Sequence, residues 1–429
     1  MVATEPAQRS HAPAIDGGLE SGVRSYSRTV DTVFRTARGS LLVDVDGREY
    51  IDFLAGAGAL NYGHNDPDMA AALTGHIAEG GIAHSLDLFT EERQRFLEEL
   101  ASVVLRPRGL EHLVQFTGPT GTNAVEAALK LARKVTGRTN LVAFTNSFHG
   151  VTAGSLAVTA SNHHRMQPLL PLAGVTRMPY DGYLGEDLDT ADVLERMLED
   201  PSSGVDPPAA VVVETVQGEG GLNVASPTWL RRVADITRRH GALLIADEIQ
   251  TGCGRTGAFF GFEGTGVTPD LVALSKSLSG FGLPLSVLLV RPPHDSWLPG
   301  EHNGTFRGNN HAFLTARVAI EKYWRDDRLM GEVERRSRIL SDRLTAMAED
   351  IHGAVVKGRG MMAGLDVGSG ELAGRVCRRA FELGVVVETS GPAGEVVKVL
   401  APLTTPDDLL ERGLDLLAQA MEESGREPW

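Results

Sequence analysis

Two side chains in the middle of the chain have the type and placement that amine chemistry asks for. Leu243 to Ala246 is an apolar run that delivers Asp247 and Glu248 to the carboxyl end of a strand, the edge where open α/β sheets receive ligands. A carboxylate there needs a cationic partner, and a protonated ring nitrogen is one whose pairing also keeps the ring an electron sink. A capping or salt-bridged acid is the plain structural alternative. Lys276 follows a second apolar run, Leu271 to Leu274, and opens a Ser/Gly-rich turn, Ser275 to Gly280. A lysine leaving a buried strand is desolvated and its pKa falls, as an imine-forming nucleophile requires, although most lysines are merely solvated. Lys276 lies 29 positions after Asp247. That spacing reads as one strand-helix-strand unit and brings both side chains to one edge of the sheet.

A third element suits an anion. Thr117 to Ala124, TGPTGTNA, joins a strand to a helix, and such a turn offers close backbone approach, unpaired amides and hydroxyl donors to a phosphate. Asn123 and Glu126 also fit a capping box, which would make the turn purely structural. The segment lacks the Walker spacing with its lysine and the dinucleotide glycine pattern, which disfavours a nucleotide enzyme. Phe148, in Phe148-His149-Gly150 after another strand, would place an aromatic face against a planar ring, or else be an ordinary core residue.

The elements that must position these groups are legible as a pattern. From about Ala70 to Arg291 short β-rich runs alternate with amphipathic helical stretches, which predicts a mostly parallel sheet covered by helices on both faces. The strands are expected at Leu113 to Phe116, Leu141 to Phe144, Ala210 to Val213, Leu243 to Ala246, Leu271 to Leu274 and Leu285 to Val290. Helices are expected at Ala124 to Val135, at Thr228 to His240 with Gly241 closing it, at Ala312 to Trp324 and at Glu332 to Asp350. Asp46-Gly47 between Leu41 to Val45 and Glu49 to Phe53 signals a hairpin. Together with the strand-rich tail at Met362 to Val367, Val385 to Val387 and Val396 to Leu400, that hairpin is assigned to a smaller α/β domain. The expected organisation is an irregular lead-in over 1–24, an N-terminal part of the small domain over 25–69, a large domain over 70–320 and the rest of the small domain over 321–429.

The bulk properties set limits. A chain of 429 residues with 42% hydrophobic content has room for two domains. A net charge of -15 disfavours nucleic acid and acidic membranes as partners. Cys253 and Cys377 show neither a disulfide framework nor metal-ligand spacing. With no apolar leader and no membrane-spanning run, a cytoplasmic location is the default expectation.

At this point a family resemblance enters. Leu243 to Gly257, LLIADEIQTGCGRTG, followed by Pro269-Asp270 and Ser275-Lys276, resembles the signature of class III aminotransferases, pyridoxal-phosphate enzymes of fold type I. Glu214 to Gly221, ETVQGEGG, resembles the family's other diagnostic segment, and the landmarks keep their order from Ser25 to Glu422. The resemblance implies a large domain with a mostly parallel seven-stranded sheet, pyridoxal 5'-phosphate as cofactor, Lys276 as the Schiff-base lysine and proton carrier, and Asp247 on the ring nitrogen. It further implies Gln250 near the phenolic oxygen, Gly121 and Thr122 at the phosphate, Phe148 on the ring and His149 beside it. Thr305 matches a threonine that reaches the phosphate of a neighbouring subunit, so a homodimer with shared sites is expected.

A narrower resemblance rests on Ala55 to Asn65 (AGAGALNYGHN), Val114 to Val125 (VQFTGPTGTNAV) and Pro299 to Asn310 (PGEHNGTFRGNN). These segments resemble the members of the family that exchange the terminal amine of L-2,4-diaminobutyrate with 2-oxoglutarate in ectoine biosynthesis. The implied reaction has two half-reactions on one site, with glutamate and aspartate 4-semialdehyde as the other amino acid and oxo acid. Glu219 matches the glutamate that pairs with a substrate-binding arginine, and Lys398 stands where that arginine is found in ornithine and 4-aminobutyrate enzymes. Glu214 and Arg307 complete the candidate substrate contacts, Arg307 either as a carboxylate anchor or as a brace for the partner's phosphate loop. Leu60, Tyr62 and Phe148 are expected to shape the amine pocket. The alternatives are another ω-aminotransferase acting on ornithine, 4-aminobutyrate or a secondary-metabolite amine, and a non-catalytic protein that kept the fold.

Overall fold

The computed structural model describes residues 19–165 and 172–425. Most of the expected lead-in, residues 1–18, lies outside the described residues. The Asp46-Gly47 signal holds: β1 (Phe34–Arg38), β2 (Leu41–Asp44) and β3 (Glu49–Asp52) form an antiparallel meander with Gly47 at φ +85°. The seven-stranded sheet is made of β4 (Leu113–Gly118), β5 (Asn140–Phe144), β6 (Val175–Met178), β7 (Pro208–Val213), β10 (Leu243–Asp247), β11 (Leu271–Leu274) and β12 (Ser286–Val290). A two-stranded ribbon, β8 (Val216–Gln217) with β9 (Asn223–Val224), lies between β7 and β10 in the chain. The large sheet runs in the order β4-β12-β11-β10-β7-β5-β6, and only β12 is antiparallel to its neighbours. The six expected strands are present and β6 is the addition. Its sequence, VTRM, carries a central arginine and so escapes a search for apolar runs.

Burial on both faces explains why these strands read as continuous hydrophobic segments. Leu141, Ala143, Ala210, Val212, Ile245, Leu271 and Ala273 pack with the Gly121–Thr136 helix on one face. Their sequence neighbours Val142, Phe144, Val211, Val213, Ala246, Val272 and Leu274 join the main core on the other. The Pro227–Arg239, Asn310–Tyr323 and Arg328–Glu349 helices match the expected ones to within a few residues at their ends.

The C-terminal strands are β13 (Val355–Arg359), β14 (Met362–Asp366), β15 (Val385–Val386), β16 (Glu388–Ser390) and β17 (Val396–Val399). They form a sheet of order β13-β14-β17-β16, while β15 pairs in parallel with β3 and so ties the N-terminal meander to the C-terminal segment.

One expectation fails. Between β10 and β11 no helix forms among the described residues; 248–270 is a chain of turns. Glycine at 252, 254, 257, 261, 264 and 266 supports that path, and Phe259, Phe260 and Phe262 anchor it in the core. A parallel crossover needs enough chain to return, and a packed loop supplies it as well as a helix. Both cysteines are free and buried, and no helix among the described residues is long and apolar enough to cross a membrane.

Candidate active site

Sheet register decides the central geometry. Asp247, the last residue of β10, is level with Ala273 of β11, so Lys276, three residues further along, stands at the same carboxyl rim. The chain turns there with Lys276 in the left-handed region, φ +49°, an unfavourable conformation for lysine that its surroundings must hold. Both side chains line one cavity of about 440 Å³, within the range for small-molecule sites.

Asp247 is 5% exposed. Its Oδ2 lies 2.8 Å from His149 Nδ1, and its Oδ1 accepts from the Ile249 backbone N–H at 3.1 Å. His149 is thereby fixed as an orienting partner of Asp247. Glu214 sits beside them, with its Oε1 accepting from Phe148 N–H at 3.3 Å. Candidate ligand atoms of His149, Glu214 and Asp247 lie within 4.8 Å of one another. Burial first, then the Asp247 charge, pushes the Glu214 carboxyl well above the usual carboxylate range.

Burial lowers the affinity of the Lys276 amine for its proton, opposed by Glu219 and assisted by Lys398. Glu219 is held by Gln250 Nε2 at 3.1 Å and by Lys398 Nζ at 2.9 Å. The turn that carries it is tied to β16, with Ser390 Oγ donating to Gly218 O and accepting from Gly221 N–H. Charge from Lys398 and Lys276 outweighs burial and draws the Glu219 carboxyl well below its usual range.

The anion-suited turn opens on the same cavity through Thr120, Gly121 and Thr122. The expected capping box is shifted: Thr120 precedes the helix and Asn123 Oδ1 accepts from its N–H and hydroxyl at 3.1 and 2.9 Å. Glu126 belongs to another network, accepting from Gly154 and Ser155 N–H at 2.8 and 3.0 Å. The helix starts three residues earlier than its apolar face suggested, because Gly121 to Asn123 bring no core contacts. Thr122 Oγ1 lies 2.7 and 2.6 Å from the hydroxyls of Thr152 and Ser155. A Cβ on Gly121 would meet Ile249 Cδ1 at 2.7 Å, so glycine is needed where the helix start approaches the cavity.

Of the candidate residues, Gly121, Thr122, Phe148, His149, Glu214, Glu219, Asp247, Gln250 and Lys276 line this one cavity. Lys398 stands behind Glu219 with its side chain wholly enclosed. Thr305 and Arg307 do not line it: the Thr305 carbonyl accepts from His84 at 2.7 Å, and Arg307 pairs with Asp87 in a separate groove. Tyr62 is a correction, for it lies in the core, stacked on Tyr323 and accepting from Trp324 Nε1 at 2.7 Å. Leu60 stands just behind Gly282 of the cavity wall.

Two residues were missed by the sequence reading. Glu388 lies 2.8 Å from Lys398 Nζ, and the half-exposed Tyr26 stands beside Glu388. The first had a signal, since a hairpin centred on Gly391 to Gly394 sets Glu388 opposite Lys398. Tyr26, on a short turn ahead of any regular pattern, had none.

The site has the polarity of a planar ring bearing an aldehyde, a basic ring nitrogen and a phosphate. At the cavity wall His149 Nε2, Glu214 Oε2 and Gln250 Oε1 are buried without a hydrogen-bond partner among the described residues, an arrangement that calls for a polar guest. Pyridoxal phosphate fits that donor set.

The Aminotransferase class-III family matches residues 24–421. A diaminobutyrate–2-oxoglutarate transaminase of Bordetella parapertussis is 54% identical over 409 residues, 95% of this chain and 94% of that protein. One of Halomonas elongata is 53% identical over 411 residues, 95% of this chain and 98% of that protein. Among solved structures the ornithine aminotransferase of Toxoplasma gondii ME49 superposes with a TM-score of 0.83 at 26% identity, over 96% of this chain and 94% of that one. A transaminase from the marine bacterium Virgibacillus has the same fold, with a TM-score of 0.84 at 22% identity over 95% of this chain and 97% of that one.

Proposed function

This chain belongs to the class III aminotransferases, and within that family we propose that it exchanges the terminal amino group of L-2,4-diaminobutyrate with 2-oxoglutarate, giving L-aspartate 4-semialdehyde and L-glutamate. The enzyme uses pyridoxal 5'-phosphate, as its family does. The observation that carries the reading is the convergence of Lys276, Asp247 and Glu219 on one cavity, with Lys398 paired behind Glu219. The amine itself is taken from relatives of that name that share just over half of the sequence across nearly the whole chain.

When bound, the cofactor supplies an aldehyde that condenses with primary amines and a ring that takes up electron density as a proton leaves the amine-bearing carbon. The remaining work belongs to the chain. Lys276 would hold the cofactor at rest and, as a free amine, take the proton from that carbon and return it to the other side. Its lowered proton affinity suits that exchange. Asp247, oriented by His149, would hold a positive ring nitrogen. Phe148 would cover the ring face, Gln250 would face its phenolic oxygen, and Gly121 and Thr122 would hold the phosphate at the start of the helix.

The two half-reactions require one pocket to take both a dicarboxylate and a monocarboxylate aldehyde. Lys398 would bind the α-carboxylate when Glu219 moves aside, and Glu219 would shield that cation otherwise. The homodimer belongs to the same reading. Leu88, Phe89 and Phe306 are exposed apolar residues close to Thr305, the kind of surface a second copy would cover. Thr305 would then reach the partner's phosphate, and Arg307, paired with Asp87, would brace that segment.

The test is a comparison of amino acceptors with the purified holoenzyme and glutamate as donor. Aspartate 4-semialdehyde should give a higher kcat/KM than the aldehydes derived from 4-aminobutyrate and ornithine. A preference for either of those would overturn the assignment of the amine.

A further inference from the structure

Glu126 stands outside the cavity lining, yet its hydrogen bonds lead to it. In the Gly121–Thr136 helix it follows Thr122 by four positions, so the two side chains share a helix face. Its Oε1 accepts three hydrogen bonds, all from one short segment of chain: the Thr152 hydroxyl at 2.5 Å and the Gly154 and Ser155 N–H at 2.8 and 3.0 Å. Thr152 directly precedes the Ala153–Val158 helix, but its own side chain does not cap it. Glu126 takes those free backbone donors in its place.

The same segment turns back to the cavity, which Thr122, Gly150 and Val151 all line. The hydroxyls of Thr152 and Ser155 stand 2.7 and 2.6 Å from Thr122 Oγ1 and 3.0 Å from each other. Three hydroxyls thus form a closed triangle, with Glu126 joined to it at Thr152. A carboxylate only accepts, so the Thr152 proton is committed to Glu126, and the wholly buried Ser155 is fixed through its backbone N–H. Two glycines make room for the arrangement. A Cβ on Gly154 would meet Glu126 Oε2 at 2.2 Å, and one on Gly150, at φ +124°, would meet Thr122 Oγ1 at 2.6 Å and Ser155 Oγ at 2.8 Å. Held from two sides, the Thr122 hydroxyl has lost its rotational freedom before any ligand arrives, which lowers the entropic cost of binding one.

We propose that Glu126 is a positioning residue for the phosphate end of the cofactor: it fixes the Gly150–Ser155 segment against the start of the Gly121–Thr136 helix and so holds the Thr122 hydroxyl where an anion at Gly121 and Thr122 meets it. This rests on the placement of the phosphate given above and deepens it. Glu126 touches neither substrate nor cofactor and acts through Thr152, Ser155 and Thr122. Its charge is matched by the two backbone N–H groups and the hydroxyl that it accepts from.

The experiment titrates holoenzyme freed of its cofactor with pyridoxal 5'-phosphate and with pyridoxal, reading the cofactor absorbance. Both compounds can join Lys276, so the ratio of their Kd values isolates the phosphate. In Glu126→Leu the preference for the phosphorylated form should shrink at least about tenfold, as expected for one lost hydrogen bond to a charged group, while pyridoxal binds as before. Glu126→Gln keeps an acceptor at the same place and should restore most of the preference. An unchanged ratio in Glu126→Leu, an equal weakening of both compounds, or a Glu126→Gln as impaired as Glu126→Leu overturns the positioning role. Should Glu126→Leu not fold, Thr152→Val removes the hydroxyl link and leaves the backbone cap. A reduced preference for the phosphorylated form is expected there too, and an unchanged one overturns the proposal. A wild type that binds the two compounds equally overturns the phosphate placement itself, a result distinct from the others.

Discussion

Replacing Lys398 with methionine keeps much of its volume and removes the charge that contacts both Glu219 and Glu388. Both carboxylates contact one nitrogen, at 2.9 and 2.8 Å, so their near oxygens are at most about 6 Å apart. At an effective dielectric constant of about 20, two charges at that separation repel by about 3 kcal/mol. Breaking a buried pair by removing one partner costs about 3 to 5 kcal/mol. One acid can escape by taking up a proton, which at 1.36 kcal/mol per pH unit corresponds to a pKa raised by about two units. A carboxyl whose folded pKa lies above its unfolded value stabilises the fold below the unfolded pKa and loses that contribution as pH rises through the folded one. Lys398→Met should therefore be about 3 kcal/mol or more less stable than wild type at pH 8 and recover most of the loss by about pH 5. In the wild type Glu219 is drawn down by Lys398, and its contribution persists until the pH falls well below the ordinary carboxylate range. Glu388, pushed up by burial, already carries a milder slope of the opposite sign, so the quantity to read is the difference between the two proteins. Urea unfolding at equal protein concentration, at pH 5 and pH 8, measures it. A loss that is equal at both pH values, or larger at the acid one, would refute the charge argument. Adding Glu388→Gln to Lys398→Met should restore most of the stability at pH 8.

Asp247→Asn should leave the cofactor bound and slow turnover by on the order of a thousandfold, because an amide cannot hold the ring nitrogen positive; near-normal turnover would remove Asp247 from its role. Lys276→Ala should give a protein that neither turns over nor develops the cofactor-linked yellow absorbance on reconstitution, and a yellow, active variant would point to another lysine. In Gly220→Ala the new Cβ would stand 2.0 Å from the Asn146 carbonyl oxygen. Backbone must shift in the turn that carries Glu219, so stability should drop by about 1 to 3 kcal/mol in urea unfolding. An unchanged midpoint would show that the turn gives way freely.

The amino-acid sequence by itself determined the large sheet and the rim on which Asp247 and Lys276 stand. Strands buried on both faces leave a continuous apolar run, as in Leu243 to Asp247 and Leu271 to Leu274, and chemistry-bearing residues that follow such runs announce themselves. Asp247 and Lys276 were legible for that reason, and so was the hairpin across Asp46-Gly47. The path between those two strands was not, because a glycine-rich loop anchored by Phe259, Phe260 and Phe262 leaves the same apolar traces as a short helix. Tyr62 misled for a related reason: a tyrosine near a family landmark can serve a cofactor pocket or the core, and only packing against Tyr323 and Trp324 decides. The charged cluster around and behind Glu219 depended on tertiary structure altogether. Glu219 comes from a turn after β7, Lys398 and Glu388 from the C-terminal hairpin, and Tyr26 from the amino-terminal end. Local sequence sets periodicity, capping and turn chemistry within each segment. The balance of one cation against two carboxylates arises between segments remote in the chain, and distance in space, which fixes Coulomb energies, has no counterpart in the order of residues.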